Sequence, residues 1–405
     1  MSRWENMPTV LVGYMSQFLC LEDVLTRISL VCSAWEAARK HVLDLVAKNH
    51  RLSWYRLCKL FERSSVLPKH VRSLVMDQRA RVVGPRKTLT TPAADFLSLC
   101  SVKIKITSDF SQITHDNLWT FLSCLPNLRT VDLGANPTGC NLMYTTTDTI
   151  KLSTLTRLTA LIFRRYDVSI DIVEVLKTLV SLDCLQFHAC LLNMTVLVDF
   201  LNSKPVSELV FSSCTTSFDS YFGQLFTKLD IRDRLRKFTC SWDVSILGHS
   251  VLRDFFERNG EGLEELHLTG PYKHLSYFLA YSSLQNLRQL TGLGTSIEQD
   301  WIGLATLIKL ESLVLQRPAL SKGVPRRSKN GNHFCFHLVS LKRLRELSLD
   351  CDDFTFDDLL SVVSAGLTSL KSVKLTVAVT QQQRAQLPGI AINQYHSKEN
   401  SFIVS

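Results

Sequence analysis

Apolar residues recur along this chain in two alternating rhythms. In one, Leu, Val or Phe alternates with polar residues, the period of a half-buried strand; in the other, apolar residues stand three and four apart, the period of a helix. Leu128, Val131 and Leu133, followed by Asn136, set the first rhythm. Leu182, Leu185, Phe187 and Cys190 repeat it, and Val206, Leu209, Phe211 and Cys214 repeat it again. Looser copies begin at Val71, Leu99, Leu158, Leu235, Leu263, Leu287, Leu310, Leu344 and Leu370. Twelve starts spaced 23 to 34 residues apart predict a tandem array.

Packing explains the pattern. A short strand sends alternate side chains to one face, and the first Leu closes the turn before it. The Asn or Cys in the ninth place answers backbone groups that would otherwise be buried unpaired. One unit cannot cover its own apolar face, so units must stack. Helical spacing fills the intervals at 170–182, 194–201, 251–256 and 358–363. Ser296-Ile297-Glu298-Gln299 and Thr355-Phe356-Asp357-Asp358 read as capping-box starts. Gly292 takes the place of a strand apolar residue and predicts a distorted strand.

These residues resemble the leucine-rich repeat family, in its strand-turn-helix class. The resemblance implies an α/β solenoid of about twelve repeats over residues 71–395, with a parallel concave sheet and a helical convex side. Residues flanking the strand leucines then face outward on the concave sheet. Arg164, Arg165, His188, Ser212, Trp242, His267 and Arg317 are such positions. Large aromatic and fork-shaped guanidinium groups are the side chains that dominate binding surfaces, so the set is a candidate substrate-binding surface.

The first residues follow a different pattern. Met7-Pro8 leads into Val10, Leu11, Met15, Phe18 and Leu19; Asp23 then precedes Leu25, Ile28 and Val31-Cys32-Ser33-Ala34-Trp35. Helical spacing predicts two or three short helices, too small a core to stand comfortably alone. The order of residues resembles the F-box: Met7-Pro8 stands at its Leu-Pro, Asp23 at its acidic position, Val31-Cys32 and Trp35 at its closing signature. Asp23 and Val31 are one residue farther apart than the family's spacing. The resemblance implies a helical domain over residues 5–55, joined by residues 56–70 to the repeats. It further implies binding to the Skp adaptor and, through it, a cullin scaffold, with Pro8, Leu11, Leu19, Leu25 and Val31 in the contact or the core beneath it.

Charge adds one localised feature. The net +9 resides wholly in residues 36–87, which carry thirteen basic and four acidic side chains. No aromatic platform or recognition helix accompanies this excess, which argues against nucleic acid. The stretch from Arg317 to Asn332 is also basic and reads as a loop bulging from the longest repeat interval. The composition, 45% hydrophobic and 20% charged, is globular. No run of apolar residues is long enough to span a bilayer. The N-terminal residues lack the pattern of a secretory signal, and twelve cysteines without a Cys-x-x-Cys pair suit a reducing, cytoplasmic or nuclear setting.

Catalytic motifs are missing: there is no phosphate-binding Gly-rich loop, no nucleophile elbow and no His-Glu-x-x-His. His333, Cys335 and His337 would share a face if they lay on a strand, the densest grouping of metal-capable side chains in the sequence. No fourth ligand accompanies them, so no metal or cofactor is expected. The leading expectation is therefore a non-catalytic, substrate-recruiting subunit of a Skp–cullin–F-box ubiquitin ligase, its repeats binding a protein substrate. Two others stand beside it: a leucine-rich-repeat scaffold without ligase association, whose N-terminal helices cap the array, and a basic-patch nucleic-acid binder.

Overall fold

The structure, a computed structural model, describes residues 44–46, 73–78, 101–106, 122, 125, 127–134, 155–168, 170–204, 206–216, 222–241, 249–269, 283–293, 302–316, 331–350 and 354–394. It is an α/β fold dominated by parallel strands. The chain divides into two compact units, one comprising residues 1–200 with 215–217 and the other 201–214 with 218–405.

In the first unit, β1 (Asp44–Val46), β2 (Ser73–Gln78), β3 (Ser101–Ile106), β4 (Thr130–Gly134) and β5 (Ala160–Arg164) pair in parallel in that order, and β5 pairs with β7 (Cys184–His188). Three two-residue strands, β6 (Asp167–Val168), β8 (Leu191–Leu192) and β10 (Thr215–Thr216), form a small second sheet just past the main strands. Behind them lie α1 (Ile170–Thr178) and α2 (Met194–Ser203), within which the unit boundary falls.

In the second unit, β9 (Glu208–Ser212) pairs with β11 (Lys237–Cys240) and the series continues in parallel through β12 (Glu265–Thr269), β13 (Gln289–Leu293), β14 (Ser312–Gln316), β15 (Glu346–Asp350), β16 (Ser372–Leu375) and β17 (Ala391–Gln394). The connections carry α3 (Gly223–Lys228), α4 (His249–Asn259), α5 (Gly331–Leu338), α6 (Phe356–Ser364) and α7 (Gln381–Ala385). Among the described residues, the connection from β13 to β14 carries a 3₁₀ turn, Ile302–Thr306.

The repeat pattern has a direct structural meaning. Every one of the twelve sequence starts is followed two residues later by a strand. The start residue closes a turn as expected: the amides of Leu128, Leu158, Leu182, Leu263, Leu287, Leu310 and Leu344 each donate to the carbonyl three residues earlier. A second device links neighbours. At several repeats, one carbonyl just before the strand accepts two successive amides from the next repeat, as Thr159 O does from Asp183 and Cys184, and Arg288 O from Glu311 and Ser312. The ninth-place cysteines also do what their position demands, since Cys190 Sγ donates to Phe163 O and His188 O at 3.4 Å.

Alternation along the strands sends one set of side chains into the core. Leu161, Phe163, Leu185, Phe187, Leu209, Phe211, Leu266, Leu313 and Leu349 are among those buried there. Register partners Phe163 and Phe187 stack with centroids 5.7 Å apart. In the second unit, Phe226, Phe238, Phe255 and Phe256 form an edge-to-face cluster between α3, α4 and β11. The expected helices are present with shifted ends. The capping box at Thr355 is made in full: Asp358 N donates to Thr355 Oγ1 and Thr355 N donates to Asp358 Oδ2.

Several expectations need correction. Gly292 does not distort its strand; β13 is regular and pairs on both sides, with Gly292 between Leu268 and Leu315, because backbone bonds alone hold the register there. Among the described residues, a three-residue parallel strand, β1, lies within residues 5–55, and β17 adds a strand after the last recognised start. His333 to His337 lies on α5, not on a strand. At about 100° per residue, positions two apart on a helix point apart, so Cys335 and His337 do not share the face that a strand would have given them. The Ser296 capping box lies outside the described residues, as do the residues of 5–55 other than 44–46.

Candidate functional site

The side of each strand turned away from the buried leucines carries the polar groups. In the first unit, the parallel register sets Lys103, Asp132, Ile162 and Gln186 in one row. Gly134, Arg164 and His188 form the next. Asp132 is the hub: its side chain is only 9% exposed, and two bases hold it. Arg164 Nε donates to Asp132 Oδ1 at 2.8 Å, while Lys103 Nζ stands 3.3 Å from Oδ2. Enclosing a carboxylate to this degree is costly without pairing, and these two bases supply the pairs.

His188 closes the row. Burial, followed by the positive charge of Arg164, pushes its imidazole down to about 4, with Asp132 pulling weakly the other way. It is neutral at physiological pH, and Nε2 lies 3.3 Å from Gln186 Oε1, a contact suited to the tautomer protonated at Nε2. The Nδ1 atom is buried without a hydrogen-bond partner. Arg165 follows directly, exposed, with a left-handed backbone at φ 63°. Ala189 and Ser213 adopt the same conformation at the same place in the next two repeats, with φ 52° and 53°. This turn places the residue after each strand outward.

The second unit differs in kind. Lys237 stands between Glu208 and Glu265, each 3.4 Å away. Burial alone would lower its pKa, but the two carboxylates outweigh that and raise it. His267 lies 3.7 Å from Glu265, and burial together with Lys237 lowers its pKa. The positions just before the strands carry a ladder of alternating sign. Arg236 pairs with Glu264 at 3.6 Å, Arg288 with Glu264 at 3.8 Å, and Arg345 with Glu311 at 3.7 Å. Exposed pairs of this kind contribute little individually, but they cancel charge locally.

No family model and no curated protein matches the sequence. The site is therefore defined by its residues. Arg164, Arg165, His188 and His267 lie on the side of the strands turned away from the buried leucines or at its rim. Arg164 and His188 share one cluster, and His267 belongs to the other unit's charge network. Ser212 does not face solvent; with Val210 it is buried, at 5% and 6%. Trp242, Arg317, Pro8, Leu11, Leu19, Leu25 and Val31 lie outside the described residues.

Two elements escaped the sequence reading. Asp132 occupies an ordinary strand position, and only parallel register reveals that two bases converge on it. Asn259 ends α4 and is 1% exposed. Its Oδ1 accepts from Ile231 N and Arg232 N, and its Nδ2 donates to Leu229 O and Phe255 O. Its role is structural. Burial, then the charge of Asp358, pushes the Cys335 thiol up to about 11, which disfavours the thiolate form. Among the described residues no group of His, Cys, Asp and Glu is placed to hold a metal ion, and no helix is long and apolar enough to cross a membrane.

Proposed function

We propose that this chain is the substrate-recognition subunit of a Skp–cullin–F-box ubiquitin ligase. The chain itself carries out no chemistry: an F-box at residues 5–55 binds the adaptor, and a leucine-rich-repeat solenoid binds the substrate. The observation that supports the solenoid half is that each of the twelve sequence starts is followed two residues later by a parallel strand. The adaptor half rests on Met7-Pro8, Leu19, Asp23 and the Val31-Cys32-Ser33-Ala34-Trp35 signature. A small bundle that cannot bury all its apolar residues offers them to a partner's helices.

The test is co-purification of the full chain with the Skp adaptor and a cullin. Capture by the native sequence and its loss on changing Leu19 and Val31 to Asp support the reading; absence of the adaptor from the native complex rejects it. A second reading is favoured by one observation. The pairing of β1 with β2 extends the parallel strands into the N-terminal segment, as a cap on the array would. In that case the chain is an interaction scaffold, and deleting residues 1–55 lowers the stability of the repeats without removing any adaptor.

A further inference from the structure

The open side of the second unit is self-neutralised: Lys237 is flanked by two glutamates, and Arg236, Glu264, Arg288, Glu311 and Arg345 alternate in sign. Among the described residues of the first unit, the cluster on β3, β4 and β5 is not. Lys103 and Arg164 converge on Asp132, two positive charges on one negative, and Arg165 adds an exposed third. His188 beside them is neutral and contributes no further charge. Arg164 commits only Nε to Asp132; among the described residues its two Nη groups have no acceptor. The side chain of Lys103 is 36% exposed and that of Arg164 21%, so both bases remain in contact with solvent while paired with Asp132.

From this we infer that the open side of β3, β4 and β5 docks an acidic segment of a partner protein, with Arg164 and Lys103 receiving one carboxylate and Arg165 a neighbouring one. This rests on the reading of the repeats as the substrate-binding part and names the substrate's chemistry. The anchored guanidinium offers its Nη edge as a planar fork, the geometry that suits a planar carboxylate. The surplus of the Lys103–Asp132–Arg164 cluster is a single positive charge, which matches a carboxylate rather than a phosphate dianion. Asp132 both fixes the two bases and limits their charge.

The probe is a fluorescein-labelled decapeptide of alternating Gly and Glu, with Gln and phosphoserine counterparts, titrated into the full chain by anisotropy. The Glu peptide binds, the Gln peptide does not, and affinity falls steeply between about 0.05 and 0.5 M salt. Arg164→Gln weakens binding by at least about tenfold. Asp132→Asn, which frees the surplus charge, tightens it, while Arg236→Gln in the second unit leaves it unchanged. Thermal unfolding of each variant separates lost binding from lost folding. No Glu-peptide binding, binding indifferent to both Arg164→Gln and Asp132→Asn, or binding of the phosphoserine peptide alone overturns the inference. Adaptor capture without Glu-peptide binding defeats this inference and leaves the ligase reading standing; Glu-peptide binding without adaptor capture does the reverse.

Discussion

Arg164 and Asp132 sit on adjacent parallel strands, joined by an Nε–Oδ1 hydrogen bond of 2.8 Å, and Gly134, the register partner of Arg164, places no side chain beside it. The carboxylate is the more enclosed partner, so removing the guanidinium leaves a mostly buried charge with Lys103 alone. Arg164→Ala is expected to destabilise the first unit by about 2 kcal/mol, below the cost of breaking a fully buried pair because Arg164 itself touches solvent. Asp132→Asn keeps a hydrogen-bonding group at the hub and costs less. A double-mutant cycle on the two positions, read by chemical denaturation, checks this; additive effects would show that the pair is not coupled.

His188 makes the same cluster sensitive to acid. Its folded pKa of about 4 lies below the ordinary 6.5, so between those values the unfolded chain binds the proton more readily than the folded one. Stability attributable to the neutral ring is full above pH 6.5, falls as the pH drops, and is gone once both states are protonated below about 4. Allowing for the ring's partial contact with solvent, the span is ~2 kcal/mol. His188→Gln should flatten this part of the stability profile between pH 7 and 4. An unchanged acid slope in the variant would assign it to other groups.

Much of the architecture was legible from residues alone because strand periodicity and burial are the same fact. A leucine that closes a turn, and two more that alternate into the core, leave a pattern independent of what lies far away. The Thr355 box was legible for a similar reason, since both its bonds lie within three residues. What escaped reading depends on register or backbone. Gly292 is a poor strand residue in isolation, yet paired neighbours on both sides keep it regular. Cys335 and its histidines alternate in sequence like strand residues, but Phe334 and Leu338 stand four apart and are buried, which is the helical signal that prevailed. The Asp132 cluster joins residues about thirty positions apart, beyond any local motif.

Cys335 gives a chemical check on α5. A thiol held at about 11 carries far less thiolate at neutral pH than an ordinary one. Alkylation of the native protein at pH 7.5 should modify Cys335 at least about a hundredfold more slowly than the unfolded chain, given an unperturbed value near 8.5. Peptide mass mapping over time reads it directly. Rapid native labelling at this position would contradict the packing of α5 against α6.

The end of α4 is where the second unit is most exposed to a single change. Asn259 satisfies four backbone groups from a fully buried position, two donors at Ile231 and Arg232 and two acceptors at Leu229 and Phe255. Arg232 holds a left-handed backbone at φ 46°, a strained conformation for a residue with a side chain, and the bond from its amide helps to keep it there. The neighbouring Gly260 is equally constrained: a Cβ there would lie 2.4 Å from Phe256 O, a backbone atom that cannot move without disturbing the helix end. Asn259→Ala should cost about 3 kcal/mol, since several buried groups lose their partners at once. Gly260→Ala should cost about 2 kcal/mol through steric displacement. Arg258, whose Nη2 donates to Phe226 O at 2.7 Å at the end of α3, supplies the comparison: it is partly exposed, water can replace it, and Arg258→Ala should cost less than either. Denaturant midpoints for the three variants test the ranking, and an Asn259→Ala protein as stable as the parent would show that this buried amide is not what ties α4 to the preceding turn.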